Sequence, residues 1–180
     1  TAQAAGAELF VLFTGNPTWA AALPGGPVTD TQDLVSFVSL AVERYDGDGN
    51  ADAPGSPVIR YWSFYAEPDN SDLVRALAGK GYFGHTPGLY ATMLYYVAPA
   101  VHSANPQANV LIGGLAYDYF IEDGGPFVRT FITETLAALN TYPGGATRYL
   151  DEIAFHYYPV AVDRWPDWNR GGLRLLLKAA

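Results

Sequence analysis

The residues best placed to do chemistry sit in one run, Val58 to Asn70, where Arg60, Tyr61, Trp62, Phe64 and Tyr65 lead into Glu67-Pro68-Asp69. Val, Ile, Tyr, Trp and Phe suit a covered, pleated surface, so the run reads as a buried strand. Pro68 donates no ladder hydrogen bond and biases the preceding residue away from helical angles, so the strand stops with Glu67 at its C-terminal end. In parallel α/β sheets that edge is where ligands bind. The competing reading is a carboxylate that merely opens a solvated loop. A second polar cluster, His156-Tyr157-Tyr158-Pro159, closes another apolar run that begins at Ile153.

These groups need elements to hold them, and the chain supplies strands and helices in alternation. Strands are expected near residues 8–14, 58–66, 109–114 and 151–157, each a short apolar run bounded by turn residues and read as buried on both faces. Thr29 with Gln32 makes a capping box for a helix whose stripe is Leu34, Phe37, Val38, Ala41 and Tyr45. A short helix is expected from Asp72 to Ala78. Thr86-Pro87 opens a longer one with Leu89, Met93, Tyr96, Val97 and Val101 on one face, a kink at Pro99 and an end at Asn105-Pro106. A further helix is expected from about Pro126 to Asn140. The repeating β/α pattern predicts an α/β fold with parallel strands, packed as adjacent staves, in one domain over residues 1–180.

Composition narrows the function. With 49% apolar and 16% charged residues the chain is globular, and its net charge of −8 with ten scattered Lys and Arg argues against a nucleic-acid partner. No apolar run approaches the length of about 20 residues that a bilayer helix needs, so no membrane partner is expected. Zero cysteines excludes disulfides, thiol catalysis and thiolate metal sites. Gly113-Gly114 lacks the spacing of a nucleotide-phosphate loop, so no nucleotide cofactor is expected. Asp46, Asp48, Asn50 and Asp52 alternate oxygen-bearing side chains that could converge on calcium. An EF-hand loop, however, wants glycine and glutamate where Ala51 and Pro57 stand, and a hydrated acidic turn is the alternative. The 13 Tyr and 4 Trp would serve either as sugar-stacking platforms or as core.

The run Tyr61-Trp62-Ser63-Phe64-Tyr65-Ala66-Glu67-Pro68-Asp69 resembles the acid/base strand of clan A glycoside hydrolases, where a Trp-rich strand ends in Asn-Glu-Pro. It is most similar to the xylosidase and iduronidase family. Asn16-Pro17-Thr18-Trp19-Ala20 resembles the loop after barrel strand three, Ala104-Asn105-Pro106 to Gly113-Gly114-Leu115 the approach to strand five, and Phe155-His156-Tyr157-Tyr158-Pro159 the end of strand six. The resemblance implies part of a (β/α)8 TIM barrel, strands three to six, truncated before strand seven. A retaining mechanism uses two carboxylates about 5 Å apart. By resemblance Glu67 is the acid/base, His156 and Tyr158 line the sugar site and orient the carboxylates, and Trp19 is a sugar platform. A core histidine, a packing tyrosine and a tryptophan buried under the loop are the alternatives. The family's nucleophile lies on strand seven, and no residue here takes that role by resemblance; Asp118 is the local carboxylate nearest the same rim.

The chain departs from the family where Ala66 replaces the asparagine that contacts the sugar 2-hydroxyl, a group of contacts that supplies several kcal/mol in the transition state. Three functions therefore stay open: a glycosidase in which an apolar surround keeps Glu67 partly protonated to donate to the leaving oxygen, a carbohydrate-binding relative without turnover, and a β/α domain with no ligand. A carbohydrate is the expected partner in the first two. The open edges of a partial barrel predict self-association.

Overall fold

A computed structural model of the chain describes residues 3–156. Three of the expected strands form in it: β1 (Phe10–Phe13), β2 (Tyr61–Phe64) and β3 (Asn109–Ile112). They make one parallel sheet in the order β1-β2-β3, with Phe13 opposite Phe64 and Phe64 opposite Ile112. The helices α1 (Thr31–Glu43), α2 (Leu73–Leu77) and α3 (Pro87–Ala104) come between the strands, and α4 (Phe131–Leu139) follows β3. The chain is thus α/β with a three-stranded parallel sheet, and a closed eight-stranded barrel is not what the described residues show. No helix among them is long and apolar enough to cross a membrane.

Alternate strand residues explain where the core lies, because side chains two apart share a sheet face. Trp62, Phe64, Val110 and Ile112 form one buried cluster with Val38 and Val42 of α1, Leu94, Val97 and Val101 of α3, and Phe131, Ile132 and Leu139 of α4. Helix α3 packs on both α1 and α4, so these three helices make one layer on one face of the sheet. Burying a large apolar side chain contributes about 1.5–3 kcal/mol. Trp62, Phe64, Phe83 and Phe131 all lie below 2% exposure, which makes this layer the main source of stability.

Several expectations are corrected. The strand at 151–157 reduces, within the described residues, to parallel bridges of Leu111 with Glu152 and of Leu115 with Phe155. The ladder lapses between these two bridges, where Gly113 and Gly114 stand and Ile112 O accepts the Ser63 hydroxyl at 3.1 Å; at the start of the run the Asp151 carboxylate accepts the Val110 N–H at 2.8 Å. The first strand is not buried on both faces: β1 is a sheet edge and Phe10 is 52% exposed. The N-cap of α1 is Asp30, whose side chain accepts the Gln32 N–H, so the Thr29 capping box does not form. Phe37, expected in the buried stripe, is more than half exposed. Helix α3 does start at Pro87 and end before Asn105, and it continues through Pro99. It turns Tyr90, Leu94 and Val97 inward, leaving Leu89 and Tyr96 half exposed, since a helix apolar on most sides does not declare its inner face by spacing alone. Helix α4 starts at Phe131 rather than near Pro126, because Phe127 is drawn into bridges with Asn70 and Phe120.

Candidate functional site

Strand β2 ends at Phe64, three residues earlier than its composition suggests is needed to deliver Glu67. The segment beyond it stays attached to both neighbours: the Tyr65 N–H donates to Phe13 O at 2.7 Å and the Glu67 N–H to Gly114 O at 3.0 Å. Pro68 does exclude the right-handed helix for Glu67, but the chain answers with a positive φ of 55° instead of an extended residue, and Tyr65 has φ 59°. A non-glycine residue held in a sparsely populated region costs on the order of 1–3 kcal/mol, and two such residues flank Ala66 at the rim. Surrounding bonds hold this conformation. The Pro68 carbonyl accepts from Phe83, Asn70 Nδ2 donates to Gly81 O at 2.8 Å, and the Asn70 N–H returns to Glu67 O. Beneath the site, the buried Tyr90 hydroxyl donates to Phe64 O at 2.7 Å and accepts the Gly113 N–H at 2.9 Å, tying together the ends of β2 and β3.

At this rim the structure brings two of the expected site residues together. His156 Nδ1 lies 3.1 Å from Glu67 Oε1, and the carboxylate is only 6% exposed. A third residue completes the group: the Arg75 guanidinium forms an ion pair with Glu67 Oε2 and lies 5.0 Å from the centre of the Phe127 ring. Arg75 is carried by α2, whose Asp72 N-cap accepts the Val74 N–H and starts the helix just after the Glu67 turn. The close fit of His156 depends on Gly114, where a Cβ would stand 2.5 Å from the imidazole Nε2.

The charge state of Glu67 differs from the expectation of a partly protonated acid. Burial pushes its pKa up, but the hydrogen bond with His156 and the positive charges of Arg75, Lys80 and His156 together outweigh burial and hold it below the ordinary carboxylate range. In this arrangement Glu67 is a carboxylate. It can accept a proton or stabilise developing positive charge, and the contacts with His156 and Arg75 both oppose its acting as a proton donor. Asp69, two residues on, behaves oppositely: burial pushes it up to about 6 despite the N–H groups of Tyr117 and Ala116.

The other expected residues lie elsewhere. Trp19 is 73% exposed and borders a hollow of about 310 Å³ between the end of β1 and α1, where Phe13, Asn16, Phe37 and Tyr65 are among its other walls. Burial of Trp19 under its loop is thereby corrected. Tyr158 lies outside the described residues. Asp118 accepts the N–H of Tyr119, and Glu122 and Asp123 are exposed beside Arg129. At the acidic turn, one carboxylate oxygen each of Asp46, Asp48 and Asp52 falls within 4.8 Å of the others. The Asn50 amide Nδ2 donates to Glu43 Oε1 at 2.7 Å. The carboxylates of this turn accept the N–H groups of Gly47, Asp48, Gly49 and Asn50, which accounts for the cluster as a hydrogen-bonded turn.

Arg75 and Asp69 were not singled out from the sequence. For Arg75 the available signal was an arginine on a short helix starting five residues past Glu67; for Asp69 it was an acid directly after Glu-Pro in a run otherwise apolar.

No family model matches this chain, and no curated protein matches it. Among solved structures it is similar to a glucosidase from Croceicoccus marinus, at 17% sequence identity and a TM-score of 0.45, over 88% of this chain and 37% of that one. The chain therefore spans well under half the length of that glucosidase. The likeness is a distant one of fold and assigns a role to no residue.

Proposed function

We propose that Glu67 and His156 form the sugar-binding end of a glycoside hydrolase-like domain, built as part of a (β/α)8 barrel related to the xylosidase and iduronidase family. The observation that carries this reading is the 3.1 Å contact between a buried carboxylate and an imidazole at the C-terminal rim of parallel strands, where α/β folds bind ligands. The strands follow one another in chain order with the packed helices α1, α3 and α4 on one face, the progression a barrel needs, whereas a doubly wound sheet would cover both faces. The chemistry is hydrolysis of an O-glycosyl bond with retention. Once substrate binding has separated it from Arg75, Glu67 takes up a proton from solvent and passes it to the leaving oxygen as the glycosidic C–O bond breaks. A second carboxylate about 5 Å away would attack the anomeric carbon.

A second reading, sugar binding without turnover, is favoured by two observations. Glu67 is ion-paired and ionised, and Ala66, 7% exposed, puts a methyl group where the family places an amide. Calorimetric titration of the chain with xylosides, glucosides, galactosides and arabinosides tests both. Binding that survives Glu67→Gln, with any turnover lost, is the expected outcome for a glycosidase site. If binding and turnover are both indifferent to Glu67→Gln the site is a binding one, and if no sugar binds at all both readings fall.

A further inference from the structure

We propose that Asp69 is a positioning residue for the Glu67–His156 pair, acting through the segment 114–117 that both partners share. The carboxylate of Asp69 is 1% exposed and accepts two backbone donors from the loop after β3, the N–H of Ala116 at 3.2 Å and that of Tyr117 at 2.9 Å. That loop is also the mount for both site residues. Gly114 O accepts the Glu67 N–H at 3.0 Å, Leu115 N–H donates to Ala154 O at 3.0 Å, and Leu115 O accepts the His156 N–H at 2.7 Å. Asp69 thus grips the mount one residue past Leu115, from the same turn that bears Glu67. Within residues 113–117 the tie to the Glu67 turn besides that grip is the Glu67–Gly114 bond; the turn's other ties to this loop lie farther along it, where the Val128 N–H donates to Asp69 O at 2.9 Å and the Ser71 N–H to Pro126 O at 2.8 Å. Without the grip, two part-buried backbone N–H groups would also lose their acceptor, which loosens the segment that carries both partners. Tyr117 has φ 42°, a conformation a tyrosine adopts rarely, and its N–H is one of the two that Asp69 receives. The distribution of bonds makes the carboxylate a clamp between the loops that follow β2 and β3, not a reacting group.

The proposal rests on reading Glu67 and His156 as one site, and its test is spectroscopic, so its failure is distinct from a failure to bind or cleave sugars. The His156 ring Cε1–Hε1 resonance of the full chain is recorded at fixed pH 7.5 in wild type, Glu67→Gln and Asp69→Asn. Glu67→Gln defines the signal of a ring that has lost its ionised partner. Asp69→Asn, which keeps shape and removes one acceptor oxygen, is expected to move the resonance at least half of that way. Val42→Ala, a cavity in α1 remote from the rim, is expected to leave it in place, which separates positioning from general loosening. An Asp69→Asn resonance within a line width of wild type overturns the proposal. Hydrogen exchange on the wild-type chain supplies a test that needs no variant: the amides of Ala116 and Tyr117 should be protected like that of Leu115, and exchange as fast as in an exposed loop overturns the clamp.

Discussion

His156 Nδ1 lies 3.1 Å from Glu67 Oε1 although 89 residues separate them in the chain, and the other carboxylate oxygen is ion-paired to Arg75 on α2. Glu67 is therefore held between two groups that favour its charged form, while burial opposes it. Arg75→Met removes the larger fixed charge. Its expected effect is a rise in the Glu67 pKa, read as a higher midpoint in a ¹³C carboxyl titration. In wild type the depressed pKa contributes stability that is present above the ordinary value of 4.5 and lost as the pH falls through the folded value, and the variant should lose much of that acid-side dependence. Because Arg75 is about a third exposed, the cost at neutral pH is expected to be modest, about 1–2 kcal/mol. An unchanged titration would show that Arg75 does not set the charge of Glu67.

Gly113 and Gly114 predict opposite outcomes for the same substitution. A Cβ on Gly113 would lie 1.6 Å from the Tyr65 carbonyl oxygen, backbone that the sheet holds in place, whereas a Cβ on Gly114 would meet the end of the His156 side chain. Gly113→Ala is expected to cost about 3 kcal/mol or more, and Gly114→Ala about 1–2 kcal/mol while swinging the imidazole away from Glu67. Urea denaturation measures the first difference and the His156 ring resonance the second. Equal destabilisation with an unmoved ring would contradict the packing described for Gly114.

Which parts of this arrangement could be read from the sequence follows from how local each cause is. The apolar runs around Val11, Trp62 and Val110 dictate strands through their own composition, and Pro87 marks a helix start by its fixed φ, so both survive folding. The fourth run looked equally apolar, but its ladder lapses between the bridges at Glu152 and Phe155, opposite Gly113 and Gly114 of another segment, a pairing that only the folded chain decides. The same limit applies at the rim. Glu67 announces itself by ending a strand before proline, but its charge depends on Arg75 and His156, whose approach is set by α2 and by the absence of a side chain at Gly114.

The buried Asp69 predicts an unusual dependence of stability on pH. Burial raises its pKa from the ordinary 3.8 to about 6, with the neighbouring Glu67 charge adding to the rise and the N–H groups of Tyr117 and Ala116 opposing it. The native state then holds its proton more tightly than the unfolded chain, so stability falls as the pH rises from about 4 to about 6 and is level above that. A difference of about two units corresponds to about 3 kcal/mol, and Asp69 is too buried for solvent to screen much of it. Denaturation at pH 5 should accordingly show a more stable protein than at pH 7, and Asp69→Asn should flatten the difference. A wild type that gains stability from pH 5 to pH 7 would place the Asp69 titration elsewhere.

The last prediction is that the chain as it stands hydrolyses no glycoside, even where it binds one. A retaining mechanism needs a proton donor and a second carboxylate about 5 Å apart. Glu67 is ionised and paired with Arg75, so the donor is not ready. Asp69 commits its oxygens to Ala116 and Tyr117, Asp118 accepts the Tyr119 N–H, and Glu122 and Asp123 sit in an exposed turn beside Arg129. Each of these carboxylates is engaged by the contacts just named, and the expectation is that none of them serves as the nucleophile. On the proposed reading Ala66 stands where the family has an asparagine that contacts the sugar, and each 1.4 kcal/mol lost from the transition state is about tenfold in rate. The assay uses aryl xylosides, glucosides, galactosides and arabinosides with the purified chain, alongside Glu67→Gln. Background rates in both are expected. Turnover in wild type that vanishes in Glu67→Gln would overturn the prediction, and substitutions at Asp118, Glu122 and Asp123 would then locate the second carboxylate.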